Sequence, residues 1–468
     1  MLFLAVQPAG SQTAAPLSPA DRVAAVSAVR AFTGHAPAES PDDALLAEVA
    51  RYAEAALGLR LSPPGLDRNW SIAPPARDVG AELQAARAAG GLASWIDALE
   101  PQAPPYRALL AVRVRYQALV DAGGWETLPD SPALRPGDTH PAVAALRRRL
   151  AMEGYGEAGP VEAETAFDAG LEAALRQFQR QHGLAEDGIL GGETRRALDV
   201  PASGRLQQID ANLERWRWLP RPLPADRIEL NIARQDVLYL RQGQVALSMR
   251  AIVGKPATRT PMLASRIEAV TLNPSWHVPS SIARGELLPQ ERRSPGVLAR
   301  RGFVREGTSL RQVPGPNNAL GQVKFEMPSP FGVYLHDTPS RSLFAREDRL
   351  FSHGCMRLEK PRELATLLLG DQGWTGADVD AAIDAGTTRR VTLDRPVAVL
   401  VVYFTAGVDE SGGVWFADDP YGWDRKLIAA LARLPRSGAG GGGAAAAGKS
   451  MFALPVRVAS EGCHDPRP

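Results

Sequence analysis

Cysteine and histidine are both scarce in this chain. Only Cys355 and Cys463 occur among 468 residues, and two cysteines do not decide the redox compartment. The seven histidines lack the clustered spacing, such as His-Glu-x-x-His, that a catalytic zinc site requires. We therefore expect no metal and no cofactor.

The chain also lacks a charge excess and long apolar runs. Its formal net charge is +1, which gives no electrostatic case for nucleic acid or an acidic membrane surface as partner. No stretch of eighteen or more apolar residues occurs, so we expect no membrane-spanning helix. With 45% hydrophobic and 22% charged residues, the composition is that of a globular protein, and the length predicts two to four domains.

The scarce residues meet in one segment. Cys355 lies within Ser352-His353-Gly354-Cys355-Met356-Arg357, and His336 lies sixteen residues before Ser352. A free thiol with a pKa of roughly 8.5 is mostly protonated at neutral pH, so a nucleophilic cysteine needs a base, which either His336 or His353 can supply. The N–H groups of Gly354 and Cys355 can face an oxyanion. The alternative is a buried, unreactive cysteine.

This segment resembles the catalytic signature of the L,D-transpeptidases, in which a histidine precedes Ser/Thr-x-Gly-Cys-x-Arg by about fifteen residues. The likeness extends to Asn273–Pro279, Asn317–Phe325 and Phe331–Pro339, and it covers roughly residues 205–435. The resemblance implies a mainly-β, sandwich-like catalytic domain. It also implies a subdomain at about 280–330 that caps the active site, because this segment is too long for a plain loop.

The resemblance also implies roles for individual residues. Cys355 would be the nucleophile and His336 the general base, its second ring nitrogen oriented by a backbone carbonyl or by Asp337. Gly354 would provide an oxyanion N–H with support from His353, and Arg357 would organise the loop or hold a substrate carboxylate. Substrate-binding candidates line the expected cleft: Tyr334, Trp276, Ser352 and Asp337. Members of the family are carbapenem targets, and we expect the same here.

Residues 132–200 form a separate helical module. Apolar residues at helical spacing are followed by Asp187-Gly188-Ile189-Leu190-Gly191-Gly192-Glu193-Thr194-Arg195-Arg196-Ala197-Leu198. This pattern resembles the three-helix peptidoglycan-binding domain. The interval from Ala151 to Phe167 is long for that module, and we expect a surface insertion there.

The rest of the chain fits a multidomain α+β protein. Residues 20–131 are predicted to form a helical scaffold, interrupted by the proline pairs at 63–64, 74–75 and 104–105. From Ile228 the pattern alternates as in strands, and Val397–Phe404 is apolar enough for a buried strand. Gly254-Lys255 resembles the end of a phosphate-binding Walker loop. The pattern fails because position 249, where that loop has glycine, is occupied by Met. Residues 1–19 look like a truncated signal segment, and 436–468 like a Gly/Ala-rich linker tail with an inert Cys463.

Together these observations predict a periplasmic enzyme that acts on peptidoglycan stem peptides. The expected reaction is 3–3 crosslinking through a cysteine thioester formed on a tetrapeptide donor, with consequences for cell-wall biogenesis and cell shape. Three alternatives remain open: an L,D-carboxypeptidase or endopeptidase, a transferase that attaches a lipoprotein, and a non-catalytic wall-binding protein. Peptidoglycan is the only partner that the sequence indicates, and protein partners are not predicted.

Overall fold

The computed structural model describes residues 16–35, 37, 39–156 and 165–435. Most of the predicted signal segment, the middle of the predicted insertion, and the predicted tail with Cys463 lie outside the described residues. The chain divides into two compact units, one containing residues 16–61 and 74–102 and the other containing 62–73 and 103–432. No helix within the described ranges is long and apolar enough to cross a membrane.

The N-terminal part of the chain is helical, as predicted. Its helices are α1 (Pro19–Thr33), α2 (Asp42–Ala56), α3 (Pro63–Leu66), α4 (Val79–Ala88), α5 (Leu92–Asp97) and α6 (Pro104–Asp121). Ser18 and Asp78 cap α1 and α4 by accepting backbone N–H groups. Two of the proline pairs begin α3 and α6, because proline fits the first helical turn, where its missing N–H is not needed.

Helices α1, α2, α4 and α5 form the first compact unit around one apolar core. Leu45, Val49 and Leu92 are fully buried there, so the helical spacing read from the sequence marks the core face of α2. Helix α6 belongs to the second unit. The region from 20 to 131 that the sequence suggested as one scaffold thus contributes to both units.

The helical module that follows has its own core and shares buried residues with neighbouring helices. It contains α7 (Pro141–Glu153), α8 (Ala169–Gln181) and α9 (Gly192–Leu198), and α10 (Ala202–Arg217) leads out of it. Val143, Leu146, Leu150, Leu175, Phe178 and Leu198 are fully buried, as the periodicity predicted.

Buried polar and aromatic contacts join the module to the rest of the second unit. The Tyr116 hydroxyl on α6 donates to Glu153 at 2.7 Å, and the same carboxylate accepts from Arg149 at 2.5 Å. The His182 ring stacks on Phe416 with centroids 5.4 Å apart. Removing the module would leave these groups without their partners, at a cost typical of broken buried networks. Module and catalytic region are therefore one folded body.

The catalytic region is built on a closed nine-stranded sheet. Its strands are β1 (Arg227–Asn231), β2 (Asp236–Arg241), β3 (Gln244–Gly254), β4 (Leu263–Leu272), β8 (Val323–Glu326), β9 (Leu335–His336), β10 (Leu350–Ser352), β11 (Met356–Leu358) and β12 (Arg389–Val402). The order is β10-β3-β11-β9-β8-β4-β12-β1-β2, and β2 also pairs with β3, which closes the sheet. The apolar run ending at Phe404 is buried from Val399 onward, as predicted for a central strand.

Smaller elements surround the sheet. A three-stranded sheet contains β5 (Trp276–His277), β6 (Phe303–Glu306) and β7 (Ser309–Gln312), and a hairpin contains β13 (Ala406–Val408) and β14 (Val414–Phe416). The helices are α11 (Ser280–Ile282), a π-helical turn (Ala283–Leu287), α12 (Leu288–Arg293), α13 (Val297–Arg300), α14 (Pro361–Leu369), α15 (Gly376–Asp384) and α16 (Trp423–Ala432); 3₁₀ turns cover Arg341–Ala345 and Gly370–Gln372.

The segment between β5 and β7 folds around a core of its own. Val278, Ala283, Leu287, Leu298, Phe303 and Leu310 are buried together. We call residues 276–312 the cap. Because this segment has its own apolar core and its own sheet, it is a subdomain and not a loop.

Candidate functional site

His336 lies on β9, and Cys355 immediately precedes β11, which runs parallel to β9. In the pairing of β9 with β11, Leu335 lies opposite Met356 and His336 lies opposite Arg357. Extending this register by one residue places Cys355 opposite Tyr334, two residues from His336. Side chains alternate between the faces of a sheet, so His336 and Arg357 share one face, and a strand continued through Cys355 would place its Cα roughly 8 Å from that of His336.

The imidazole of His336 is buried, hydrogen-bonded and neutral. Its Nδ1 donates to the backbone carbonyl of Asp337 at 2.5 Å, and the backbone of Leu320 is a second hydrogen-bond partner of the ring. Burial lowers the pKa of His336 to about 3, helped by the neighbouring charge of Arg357. The predicted orienting group is thus the Asp337 carbonyl and not its carboxylate.

Two cations flank this histidine, one on each neighbouring strand. Lys324 on β8 lies opposite His336 on one side, and Arg357 on β11 lies opposite it on the other. Both charges contribute to the lowered pKa of His336. Lys324 is buried, and its ammonium lies 4.5 Å from the centroid of the Tyr334 ring. Sequence reasoning missed Lys324, because the pairing of β8 with β9 joins distant segments.

The loop that leads to Cys355, residues 352–355, which we call the nucleophile loop after the role predicted for Cys355, is fixed by hydrogen bonds. Ser352 Oγ donates to the Cys355 carbonyl at 2.6 Å and accepts the Gly354 N–H at 3.0 Å. Gly354 has a φ of +114°, a conformation that favours glycine. Cys355 itself is a buried thiol that forms no disulfide within the part of the chain that the structure describes.

One expected role needs correction in this geometry. The Gly354 N–H already donates to Ser352, so it is not offered to an oxyanion in this conformation. Ser352 is 1% exposed and both hydrogen bonds of its Oγ stay within the loop, so its side chain shapes the loop, and a substrate contact by Ser352 stays a prediction. The sequence motif could not reveal this, because it gives residue types and not the directions of their N–H groups.

A second segment, Gly254–Thr260, supports the loop from the other side. Thr258 Oγ1 donates to the Ser352 carbonyl at 3.0 Å, and Thr260 Oγ1 donates to the Gly354 carbonyl at 2.9 Å. A side chain at Gly254 would place its Cβ 2.1 Å from the Thr258 carbonyl oxygen, so only glycine fits. The Tyr421 hydroxyl donates to the Gly254 carbonyl, and burial raises the pKa of this phenol to about 12. These supports were not predicted.

The remaining candidates occupy the surroundings of the site. The Tyr334 ring meets His336 edge-on at 5.7 Å and is buried, so it packs against the base. Trp276 is half-buried in the cap sheet and packs edge-on against Phe303. Asp337 accepts from the Gln322 N–H and from Arg341, and it lines an open cleft of about 400 Å³. A substrate contact by Trp276 or Asp337 stays a prediction.

His353 links the nucleophile loop to the cap. Its Nε2 lies 2.6 Å from Oε1 of Glu286 in the π-helical turn, and both side chains are partly exposed. Since His353 is two residues from Cys355, this contact connects the cap to the loop that carries the thiol. No motif or spacing in the sequence pointed to Glu286.

We expect Glu286→Ala to slow acylation of Cys355 by roughly tenfold, because His353 loses a charge-assisted hydrogen bond that fixes its ring. The matched control is Glu306→Ala, which removes another cap carboxylate, paired with Arg311, and should leave the rate unchanged. Stopped-flow acylation rates with both variants check this. Equal rates for Glu286→Ala and the wild type would contradict it.

No metal-binding group emerges from the part of the chain that the structure describes. Within residues 16–35, 37, 39–156 and 165–435, no three His, Cys, Asp or Glu side chains converge as ligands would.

Comparison with protein families identifies three segments. Residues 225–396 match the L,D-transpeptidase catalytic domain, residues 139–198 match a model described as "Putative peptidoglycan binding domain", and residues 22–112 match a scaffold domain. A Haemophilus influenzae protein named "Putative L,D-transpeptidase" is 33% identical over 242 residues, which is 47% of this chain and 49% of that protein. The chain therefore matches about half the length of this curated relative.

Solved structures of L,D-transpeptidases are also similar. One from Xylanimonas cellulosilytica is 18% identical, with 58% of this chain and 98% of that chain covered and a TM-score of 0.20. One from Stackebrandtia nassauensis is 14% identical, with 59% and 96% covered and a TM-score of 0.23. The family models and the curated relative agree with the sequence resemblance. The chain carries the catalytic domain of the L,D-transpeptidase family and, ahead of it, a peptidoglycan-binding domain.

Proposed function

We propose that this protein is a cysteine L,D-transpeptidase that forms 3–3 crosslinks between peptidoglycan stem peptides. The observation that carries the proposal is the parallel pairing of β9 with β11, which sets the neutral, carbonyl-oriented His336 beside the strand that Cys355 immediately precedes. A nucleophile, a base and a group that orients the base are the parts that covalent acyl transfer requires.

The first half-reaction forms a thioester. His336 Nε2 takes the thiol proton as Cys355 Sγ attacks the carbonyl between meso-diaminopimelate and the terminal D-alanine of a tetrapeptide donor. The resulting tetrahedral oxyanion collapses, the C–N bond breaks, and the imidazolium returns its proton to the departing D-alanine amine. The tripeptide stays attached to Cys355 as an acyl group.

The second half-reaction resolves the thioester. An amine from a neighbouring stem attacks the same carbonyl, His336 accepts its proton, and the thiolate leaves with the new amide formed. The imidazolium then protonates Cys355. The positive row of Lys324 and Arg357 favours the anionic species in both halves, because fixed charges in a buried site act with little screening. The Cys355 N–H is our remaining candidate for the oxyanion donor.

The acceptor distinguishes this reaction from its alternatives. Water in place of the amine would give an L,D-carboxypeptidase or endopeptidase, and a lipoprotein amine would give a wall-attaching transferase. Mass spectrometry of digested sacculi that were treated with the purified protein and a tetrapeptide donor separates these outcomes. Products with a new 3–3 crosslink support the proposal, whereas shortened stems without crosslinks would replace it with hydrolysis.

Peptidoglycan is the proposed partner, and the periplasm is the proposed location. The match of residues 139–198 to a peptidoglycan-binding model supports both, since such a module is useful only where the wall is accessible. Because the module packs on the catalytic region through the stacking of His182 on Phe416, we expect it to hold the wall close to the site.

The proposed chemistry is that of a thiol, so we expect a thiol alkylator to abolish turnover and EDTA to leave the rate unchanged. The measurement is D-alanine release after each treatment, with excess reagent removed. Protection from alkylation by a tetrapeptide donor is the accompanying control. Loss of activity in EDTA, restored by zinc, would contradict the mechanism.

A further inference from the structure

The cap carries a charge excess that the chain as a whole does not have. Residues 280–312 contain seven arginines and three glutamates, with no lysine or aspartate, whereas the full sequence has a net charge of only +1. A local excess of one sign on one small subdomain sets up a field that attracts ligands of the other sign.

The three glutamates of this segment are already engaged. Glu286 contacts His353, Glu306 pairs with Arg311, and Glu291 accepts the N–H groups of Gly296 and Leu298. Exposed arginines remain around α12 and α13, and we name them the basic patch: Arg292, Arg293, Arg300, Arg301 and Arg305.

The arginines of the basic patch lie on α12 or close to its residues Gln290 and Glu291. Arg292 and Arg293 lie in the last turn of α12. Arg300 and Arg305 lie close enough to Glu291 to help lower its pKa, after the larger effect of its two backbone hydrogen bonds. Arg301 donates to Gln290 at 3.0 Å. All five side chains therefore surround the same short helix.

The patch also lies near the nucleophile loop. Glu286, which contacts His353 at 2.6 Å, lies two residues before α12 begins. At about 1.5 Å per helical residue, the chain travels roughly 10 Å from Glu286 to Arg293. A polymer whose reactive group occupies the site could reach the patch with its neighbouring segments.

We propose that the basic patch binds free carboxylates of peptidoglycan stem peptides, so that the cap is a second wall-binding surface besides the peptidoglycan-binding module. The proposal rests on the proposed function, because it takes the substrate to be a stem peptide. Guanidinium groups form bidentate hydrogen bonds with carboxylates, and a polymer presents many carboxylates at once. An array of arginines suits such a ligand better than a single pocket does.

The test compares two triple variants of the full chain. Arg292→Gln/Arg300→Gln/Arg305→Gln removes three of the five charges of the patch and keeps good helix formers at the two helical positions, 292 and 300. Arg266→Gln/Arg390→Gln/Arg395→Gln removes the same charge from exposed arginines of β4 and β12. Circular dichroism first establishes that both are folded. Binding is then measured by cosedimentation with native sacculi, with sacculi whose carboxylates are amidated, and with phosphatidylglycerol vesicles.

We expect the patch variant to bind native sacculi roughly tenfold more weakly than the wild type at low salt, as three exposed charge contacts would give. The control variant should bind as the wild type does, and the difference should vanish on amidated sacculi and at about 1 M salt. A loss equal in both variants, or one that persists on amidated sacculi, would overturn the proposal. Vesicle binding that the patch variant lacks would assign the patch to membrane lipid instead.

Carbapenem acylation of Cys355 in the same samples keeps the two proposals distinguishable. It should be equal in all three proteins, because the patch arginines lie outside the catalytic residues. Absence of acylation in the wild type would count against the proposed function, while the comparison of native with amidated sacculi would still decide whether the patch binds carboxylates.

Discussion

Replacing Cys355 with alanine should eliminate the acyl-enzyme and lower turnover by at least about four orders of magnitude, because the acyl group has no other atom to attach to. The fold should survive, since the change removes one buried sulfur atom and keeps Cβ. Intact-mass spectrometry with a carbapenem or a tetrapeptide measures the adduct, and thermal unfolding verifies the fold.

The second cysteine provides a matched control. Cys463→Ser changes the other thiol of the chain, and we expect its acylation and turnover to equal those of the wild type. Crosslinking retained by purified Cys355→Ala, or lost in Cys463→Ser, would remove Cys355 from the role of nucleophile.

Replacing His336 with glutamine should slow acylation by about two to four orders of magnitude, the usual effect of losing a positioned general base. Glutamine can still donate to the Asp337 carbonyl, so the change removes the base with little loss of packing. His353→Gln is the matched control, and we expect it to cost only about tenfold, because His353 supports the loop from the cap side. If His353→Gln slowed acylation more than His336→Gln does, His353 and not His336 would be the general base.

The lowered pKa of His336 has a further consequence for pH dependence. The folded protein binds a proton at His336 only near pH 3, whereas the unfolded chain does so near 6.5. Between these values the unfolded state holds more protons, so this group's contribution to stability is complete above 6.5 and is lost as pH falls, by about 1.4 kcal/mol per pH unit. The base also stays neutral and usable throughout this window.

Urea unfolding at pH 7 and pH 5 measures the effect. We expect the wild type to lose roughly 2 kcal/mol more than His336→Gln over this interval. The pKa of buried His182 is lowered in the same direction, but His182 is present in both proteins and cancels in the comparison. Equal losses would contradict the buried, neutral state of His336.

Local patterns predicted much of this molecule. The helical spacing identified core residues such as Val143 and Phe178, and the apolar run from Val397 identified a central strand. These predictions succeed because side-chain burial follows the period of each element. The motif around Cys355 likewise marked the site, since a scarce thiol next to scarce histidines is unusual in any chain.

The features of the site that the sequence could not predict depend on contacts between segments that are far apart in the chain. Lys324 faces His336 only because β8 pairs with β9, and Thr260 supports the nucleophile loop from a segment ninety-four residues away. Gly254 appeared in the sequence only as part of a phosphate-loop pattern that failed. In the fold it is needed because the backbone of Thr258 approaches it closely. The direction of the Gly354 N–H, which decides what it can bind, also follows from the folded loop alone.

The most direct test of the central claim is the mass of the intact protein after mixing with a soluble tetrapeptide donor and no acceptor. The account predicts a tripeptidyl adduct on Cys355, one D-alanine released per adduct, and loss of the adduct when an acceptor amine is added. Release of D-alanine without any adduct at Cys355, or an adduct at another residue, would contradict it.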